Sequence, residues 1–203
     1  MRALAADIQS REAVAAAPAW PLPDRGTVGM MSFIVAESAI FTIFVVAYLF
    51  YLGKSVTGPT PHDVLEAPVF YTICLLSSSL TIHLAANRLE RDAPGSFMVW
   101  WLITILLGGL FMYGTAAEWR RLISEHGLTI STNLFGTTYF SLVGLHAFHV
   151  TVGLVMLATV LVLGVAGRVR RAQSARVEVL ALYWHFVDVV WVVVFTVVYV
   201  IGR

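Results

Sequence analysis

Several ionisable side chains lie inside stretches that are otherwise apolar. The last apolar run, Ala181 to Val200, reads ALYWHFVDVVWVVVFTVVYV and holds His185 and Asp188 three residues apart. That spacing puts both on one helix face, framed by the aromatic surface and polar tips of Tyr183, Trp184 and Trp191. An ionised aspartate at the centre of a membrane helix costs roughly 2.5–3.5 kcal/mol on insertion scales, so Asp188 is expected to turn inward and find a partner. His146 and His149, in GLHAFHVTVGL, share a face in the same way. Glu37 lies well inside GMMSFIVAESAIFTIF. Two roles are open for it: a carboxyl bonded to a neighbouring helix or a lipid headgroup, or a proton-handling group.

A bundle offering Glu37, His146, His149, His185 and Asp188 could in principle assemble a metal or haem site, and a stand-alone membrane enzyme using His146 and His149 is the alternative this raises. The spacing argues against it. The paired Glu-x-x-His pattern of di-iron bundles is missing, and a histidine pair in apolar surroundings more often makes hydrogen bonds. Nucleophilic catalysis has no support, because no serine or cysteine stands recognisably beside a base. Glu118 closes GTAAEWRRL, with Arg121 at i+3 or a histidine of the next apolar run as open partners. His83 follows three consecutive serines that can bond back to their own helix or across to another, and it is expected at the membrane interface. Gly108, Gly109, Gly144 and Gly153 fit close helix packing better than phosphate binding.

The elements that must position these groups follow from composition and breaks. The chain is 59% hydrophobic and 12% charged, against about 45–50% and 25% in ordinary soluble domains. It therefore reads as an all-α, polytopic membrane protein. A formal net charge of +1 gives no basic field for nucleic acid, and no nucleic-acid partner is expected. The single cysteine, Cys74, excludes an intrachain disulfide and reads as a small buried hydrophobe.

Residues 1–27 form an expected cytoplasmic tail without the apolar core of a secretory signal. Five membrane helices are expected in the domain 28–203, at about 28–52, 67–88, 96–119, 134–165 and 177–201. Pro68 suits a first helical turn, and Ser96 is the expected cap of the third helix. Lysine and arginine in the tail and in the second and fourth connections number nine, against four on the other side. The N-terminus is therefore expected in the cytoplasm and the C-terminus outside.

Four segments then resemble one family: GM-x-x-FI-x-x-E around Glu37, the Glu118-Trp119 pair, FGTTYFSLVGLHAFHV from Phe135 to Val150, and YWHFVDVVW from Tyr183 to Trp191. Together they resemble subunit III of the haem-copper respiratory oxidases, the cytochrome c oxidase and quinol oxidase superfamily. The resemblance covers nearly everything after residue 27 and follows the shorter, five-helix form. It implies an accessory subunit without cofactors of its own, in a bacterial-type inner membrane, with haems and copper in partner subunits. Subunit I is the direct partner it implies, with subunit II and small subunits in the same complex and bound phospholipid. It further implies support for the stability, proton uptake and oxygen access of subunit I.

By the same resemblance Glu37, Glu118, His146, His149, Glu178, His185 and Asp188 are packing, hydrogen-bonding, lipid or proton-related positions, with no catalytic, cofactor or metal role. Longer members face the glutamate matched by Glu37 with two helices that this chain lacks, so its partner is expected to be a lipid or another subunit. Thr115 stands where glutamine is common and Thr132 where aspartate is, which weakens the outer polar contacts expected from the family. Cytochrome c is favoured over quinol as donor by Glu37 and the wording from Tyr183 to Asp188.

Overall fold

A computed structural model of the chain describes residues 24–55 and 57–202. Of the tail expected over residues 1–27, residues 1–23 lie outside them, and residues 25–27 belong to the first helix, whose start Asp24 caps. The elements in order are α1 (Arg25–Tyr51), a single helical turn α2 (Pro61–Val64), α3 (Val69–Glu90), α4 (Pro94–Ser124), α5 (Leu134–Val165) and α6 (Ser174–Phe195). A 3-10 turn, Arg171–Gln173, leads into α6, and a wider π-type coil continues it over Thr196–Ile201. Five of these helical segments are long and apolar enough to cross a membrane, and no strand occurs among the described residues.

The helix ends show which local signals prevail. Asp24 caps α1 by accepting from the Gly26 amide at 3.1 Å. Asn133 caps α5 by accepting from the Gly136 amide at 2.8 Å, which fixes the start expected at Leu134. Ser96 does not cap α4. Pro94 opens that helix instead, because a proline at the first position gives up no intrahelical bond and already has helical φ. Pro68 stands just before α3 rather than within it. The far end of α4 runs five residues past Trp119, to Ser124. Between α3 and α4, Asp92 adopts φ 55°, the left-handed position usually held by glycine, and lets the Ala93 amide reach back to the Arg88 carbonyl at 3.0 Å.

The five long helices form one bundle with α6 inside it and α1 at its edge. In its apolar window 56% of α6 residues are buried, compared with 11% for α1. α6 packs on α1, α3 and α5; α3 and α4 form the most extensive pair; and α1 rests only across α5 and α6 among the stronger contacts. Short connections join α3 to α4 and α5 to α6 at one end, and the longer α1–α3 and α4–α5 connections lie at the other.

Trp184, fully buried on α6, is the centre of the packing. Its ring passes between Gly108 of α4 and Gly153 of α5, where an added Cβ would come within 2.8 Å of the indole on either side. These two glycines are the close-packing positions anticipated from the sequence. Gly144 makes an ordinary contact with Trp119, and Gly109 faces open space. Indole N–H groups tie the helices together: Trp184 Nε1 donates to Ser78 Oγ at 2.8 Å, Trp101 Nε1 to the Leu157 carbonyl at 2.8 Å, and Trp191 Nε1 to Thr72 Oγ1 at 3.1 Å. Such bonds hold membrane helices together where the hydrophobic effect between them is absent.

A methyl at Gly153 must displace the indole, so Gly153→Ala is expected to destabilise the bundle by about 1–3 kcal/mol. Gly109→Ala, with nothing within 4 Å of the new Cβ, should leave stability unchanged or raise it by up to about 1 kcal/mol. Thermal unfolding in detergent, followed by tryptophan fluorescence, compares the two.

Candidate functional site

Three groupings built on ionisable side chains occupy the interior, each joining different helices. In the first, Glu37 of α1 meets His149 of α5, with Oε2 3.2 Å from Nε2. The opposite ring nitrogen, Nδ1, is 2.8 Å from the Leu145 carbonyl. A carbonyl can only accept, so Nδ1 carries the hydrogen, and one proton must lie between Nε2 and the carboxyl. This corrects the expectation that a lipid or another subunit would partner Glu37. α5 brings the partner from within the same chain, because residues 146 and 149 face α1 as well as the bundle. Phe41, one turn along α1, packs on the His149 ring at 5.0 Å, and Tyr183 donates to the His149 carbonyl at 3.0 Å.

In the second grouping, Ser79 of α3 lies between His185 and Asp188 of α6. Its Oγ is 2.9 Å from His185 Nδ1 and hydrogen-bonded to Asp188 Oδ2. Asp188 is 2% exposed, and its Oδ1 has no partner among the described residues. The serine run divides its work: Ser78 donates to the Leu75 carbonyl at 2.5 Å and accepts from Trp184, while Ser79 crosses to α6. His185 is half-buried and lines a groove of about 520 Å³ between α1 and α6, otherwise walled mainly by apolar side chains such as Met31, Ile34, Phe186 and Val189.

The third grouping is at the end bearing the longer connections. Tyr199 donates to both carboxyl oxygens of Glu118, at 3.0 and 2.9 Å, and its oxygen lies 3.3 Å from that of Tyr139. Neither partner anticipated for Glu118 is the one found. Arg121 reaches instead to Glu66 at 2.5 Å and to the Val64 carbonyl at 3.2 Å. Glu66 comes from the loop ahead of α3, and a guanidinium at a helix end extends outward toward water and charge. Thr132 stitches its own loop, accepting from the Thr129 amide at 2.8 Å and donating to the Gly127 carbonyl at 3.0 Å. Nearby, Thr60 donates to Asp63 at 2.5 Å, which holds that exposed carboxyl below its ordinary pKa.

The remaining singled-out residues stand apart from these groupings. His146 is buried against Trp191, stacked at 5.0 Å, and against the edge of Phe111 at 5.9 Å. Neither of its nitrogens has a partner among the described residues. Glu178 is exposed at the start of α6, and His83 is exposed on α3, 3.0 Å from the Asn87 amide nitrogen. Among the described residues, no three His, Cys, Asp or Glu side chains converge as a metal site would require. In this arrangement His149 has both nitrogens engaged and His146 faces aromatic rings.

Sequence reasoning missed Tyr139 and Tyr199, and for Ser79 it gave the serine run's capacity to bond across helices without its partners. Ser79 carried a signal in the serine run. The tyrosines carried none, because an aromatic near the end of an apolar run reads as an interfacial anchor until a helix places a carboxylate beside it.

Five apolar helices, with Glu37, His149, His185, Asp188 and Glu118 bonded within the bundle and His146 packed among aromatic rings, define an all-α, polytopic membrane subunit. The sequence pattern described as "Cytochrome c oxidase subunit III" matches residues 6–203, and the chain belongs to that family. Among its relatives, the cytochrome c oxidase subunit 3 of Synechocystis sp. is 38% identical over 183 residues, covering 88% of this chain and 77% of the relative. The cytochrome c oxidase subunit 3 of Alkalihalophilus pseudofirmus is 33% identical over 189 residues, covering 89% and 92%. The cytochrome bo(3) ubiquinol oxidase subunit 3 of Pseudomonas aeruginosa is 34% identical over 177 residues, covering 86% and 84%.

Removing either partner of the Glu37–His149 pair has unequal consequences. His149→Phe leaves a half-buried carboxyl unpaired and is expected to cost about 1–3 kcal/mol. Glu37→Gln keeps a side chain able to bond Nε2 and should cost less than about 1 kcal/mol. A double-mutant cycle by thermal unfolding in detergent should give a coupling energy that is absent when Phe148, on the exposed face of α5, replaces His149 in the cycle.

Proposed function

We propose that this chain is the accessory, cofactor-free subunit III of a proton-pumping haem-copper terminal oxidase, and that it supports oxygen reduction carried out by its partners. The observation that carries this reading is the engagement of Glu37, His149, His185, Asp188 and Glu118 by partners within the chain, with the unpartnered nitrogens of His146 closed in by Trp191 and Phe111. His149 and Glu37 bond each other, Ser79 bonds both His185 and Asp188, and Glu118 receives Tyr199, which is the build of a structural joint rather than of an open coordination site. Family membership over residues 6–203 supports the same role.

Subunit I is the direct partner in this reading and holds the haems and copper, with subunit II and small subunits in the same complex. The chain stabilises subunit I, sustains its proton uptake and oxygen access, and holds phospholipid on its apolar faces. The end with the α3–α4 and α5–α6 connections is cytoplasmic, because Arg88, Arg91, Arg168, Arg170, Arg171 and Arg176 gather there. The C-terminus then lies on the periplasmic side of a bacterial inner membrane. Cytochrome c is the donor favoured by Glu37 and the Tyr183–Asp188 wording. A quinol-oxidising complex is the second reading, and the relative named as a ubiquinol oxidase subunit favours it.

Purification of the complex before and after stripping this chain tests the assignment. Haem absorbance is expected to stay with the larger subunits, while oxygen consumption in the stripped complex starts near the intact rate and decays faster with turnover. Haem that follows the isolated chain would overturn the reading. Reduced cytochrome c and a quinol, supplied in turn to the intact complex, identify the donor.

A further inference from the structure

Asp188 is the most enclosed carboxylate of the interior, and Ser79 is its hydrogen-bond partner among the described residues. Ser79 has a single hydroxyl hydrogen and two acceptor-capable neighbours, Asp188 Oδ2 and His185 Nδ1. With the Ser79 hydrogen shared between these two neighbours, both contacts are hydrogen bonds in two arrangements. In one, a protonated Asp188 donates to Ser79 Oγ and Ser79 donates to Nδ1. In the other, Nδ1–H donates to Ser79 Oγ and Ser79 donates to the Asp188 carboxylate. The two are interconverted by moving two hydrogens in the same direction along one chain of bonds.

We propose that Ser79 and His185 form a proton relay that loads and unloads Asp188. A proton taken up at His185 Nε2 releases the one on Nδ1 to Ser79 Oγ, and Ser79 passes its own hydrogen to Asp188 Oδ2. Each atom ends with its ordinary valence, and the net change is one proton gained by the carboxylate. Unloading runs in reverse.

The way in is laid out along α3. Ser79, His83 and Asn87 are four residues apart and share one face, which leads from the half-buried Ser79 to the end of α3 at Glu90. His83 is exposed and hydrogen-bonded to Asn87 at 3.0 Å. From α1, the polar side chains that line the groove beside His185 are Ser38 and Thr42, and both hydroxyls bond back to their own helix, at 2.7 Å each. Glu37 is engaged with α5 through His149. The relay therefore opens toward the α3 stripe. It stands on this chain's own residues and does not depend on the oxidase reading.

Infrared spectroscopy of the full-length chain in its native membrane complex, labelled with carboxyl-¹³C aspartate, tests the relay. Of the described aspartates, Asp24, Asp63 and Asp92 are exposed, so a protonated-acid carbonyl band that resists instant exchange into D₂O and is lost in Asp188→Asn reports Asp188. Positioned proton-transfer groups contribute about a hundredfold or more, so Ser79→Ala and His185→Phe are each expected to slow hydrogen–deuterium exchange of that band by this factor. Ser79→Thr, which restores the hydroxyl, should keep it within about threefold of wild type, a rescue that a merely structural role for Ser79 would not give. Wild-type exchange in Ser79→Ala, or no protonated aspartate band at any pH at which the complex is stable, would overturn the proposal.

Discussion

The bundle depends on one fit: the Trp184 indole held between the bare backbones of Gly108 and Gly153, with its N–H on Ser78. An aromatic of that size normally forces helices apart. Here glycines on two neighbours admit it, so α4, α5 and α6 approach closely around one ring, and the indole nitrogen fixes α3 on the remaining side. Lipid competes with protein for apolar surface on nearly equal terms, so contact geometry and interhelical hydrogen bonds have to define the structure. The fit also sets the rotation of α6. With Trp184 turned to α3, α4 and α5, His185 is brought to the α1 side and Asp188, one turn on, to Ser79.

The polar interior follows from that rotation. Each ionisable group in the membrane-spanning region needs a partner whose placement does not itself bury an unmet charge. The bundle uses histidine with glutamate, serine with aspartate and histidine, and tyrosine with glutamate. Arginine is kept at the ends, where Arg121 meets Glu66 across a water-facing surface. With side chains 27% and 74% exposed, that ion pair contributes little, about 0–1 kcal/mol, in contrast to the enclosed pairs.

Much of the fold was legible from hydropathy and breaks alone. The fifth element and the α5 limits, Leu134 and Val165, follow from long apolar runs between Asn133 and Gly167, where capping and composition agree. Helix ends at charged or amphipathic residues were less legible. α4 extends through Trp119-Arg120-Arg121 because arginine stems tolerate a helical path at the membrane edge, and Pro94 prevails over Ser96 because ring geometry starts a helix without a side-chain bond. The site was legible in its members and not in its pairings. The sequence marks Glu37, His149, His185 and Asp188 as polar groups at membrane depth, yet which helix meets which depends on rotations set by Trp184 and the glycines. Residues such as Ser79 and Tyr199 gain their significance only from those rotations.

The wide coil at the end of α6 bears on how this chain can change over evolutionary time. Trp191, Phe195 and Tyr199 keep ring contact, at 6.4 Å from Trp191 to each of the others and 5.5 Å between those two. In a regular α-helix a residue eight places along is rotated by about 80° from the first. Widening over Thr196–Ile201 takes up that drift and brings Tyr199 back over the Glu118 carboxyl. The coil thus works as an accommodated insertion whose length is locked to a partner on another helix. Exchange among β-branched residues is open at the exposed Thr196, Val200 and Ile201, but losing or gaining a single residue there shifts the register of the terminal turn and separates α6 from α4.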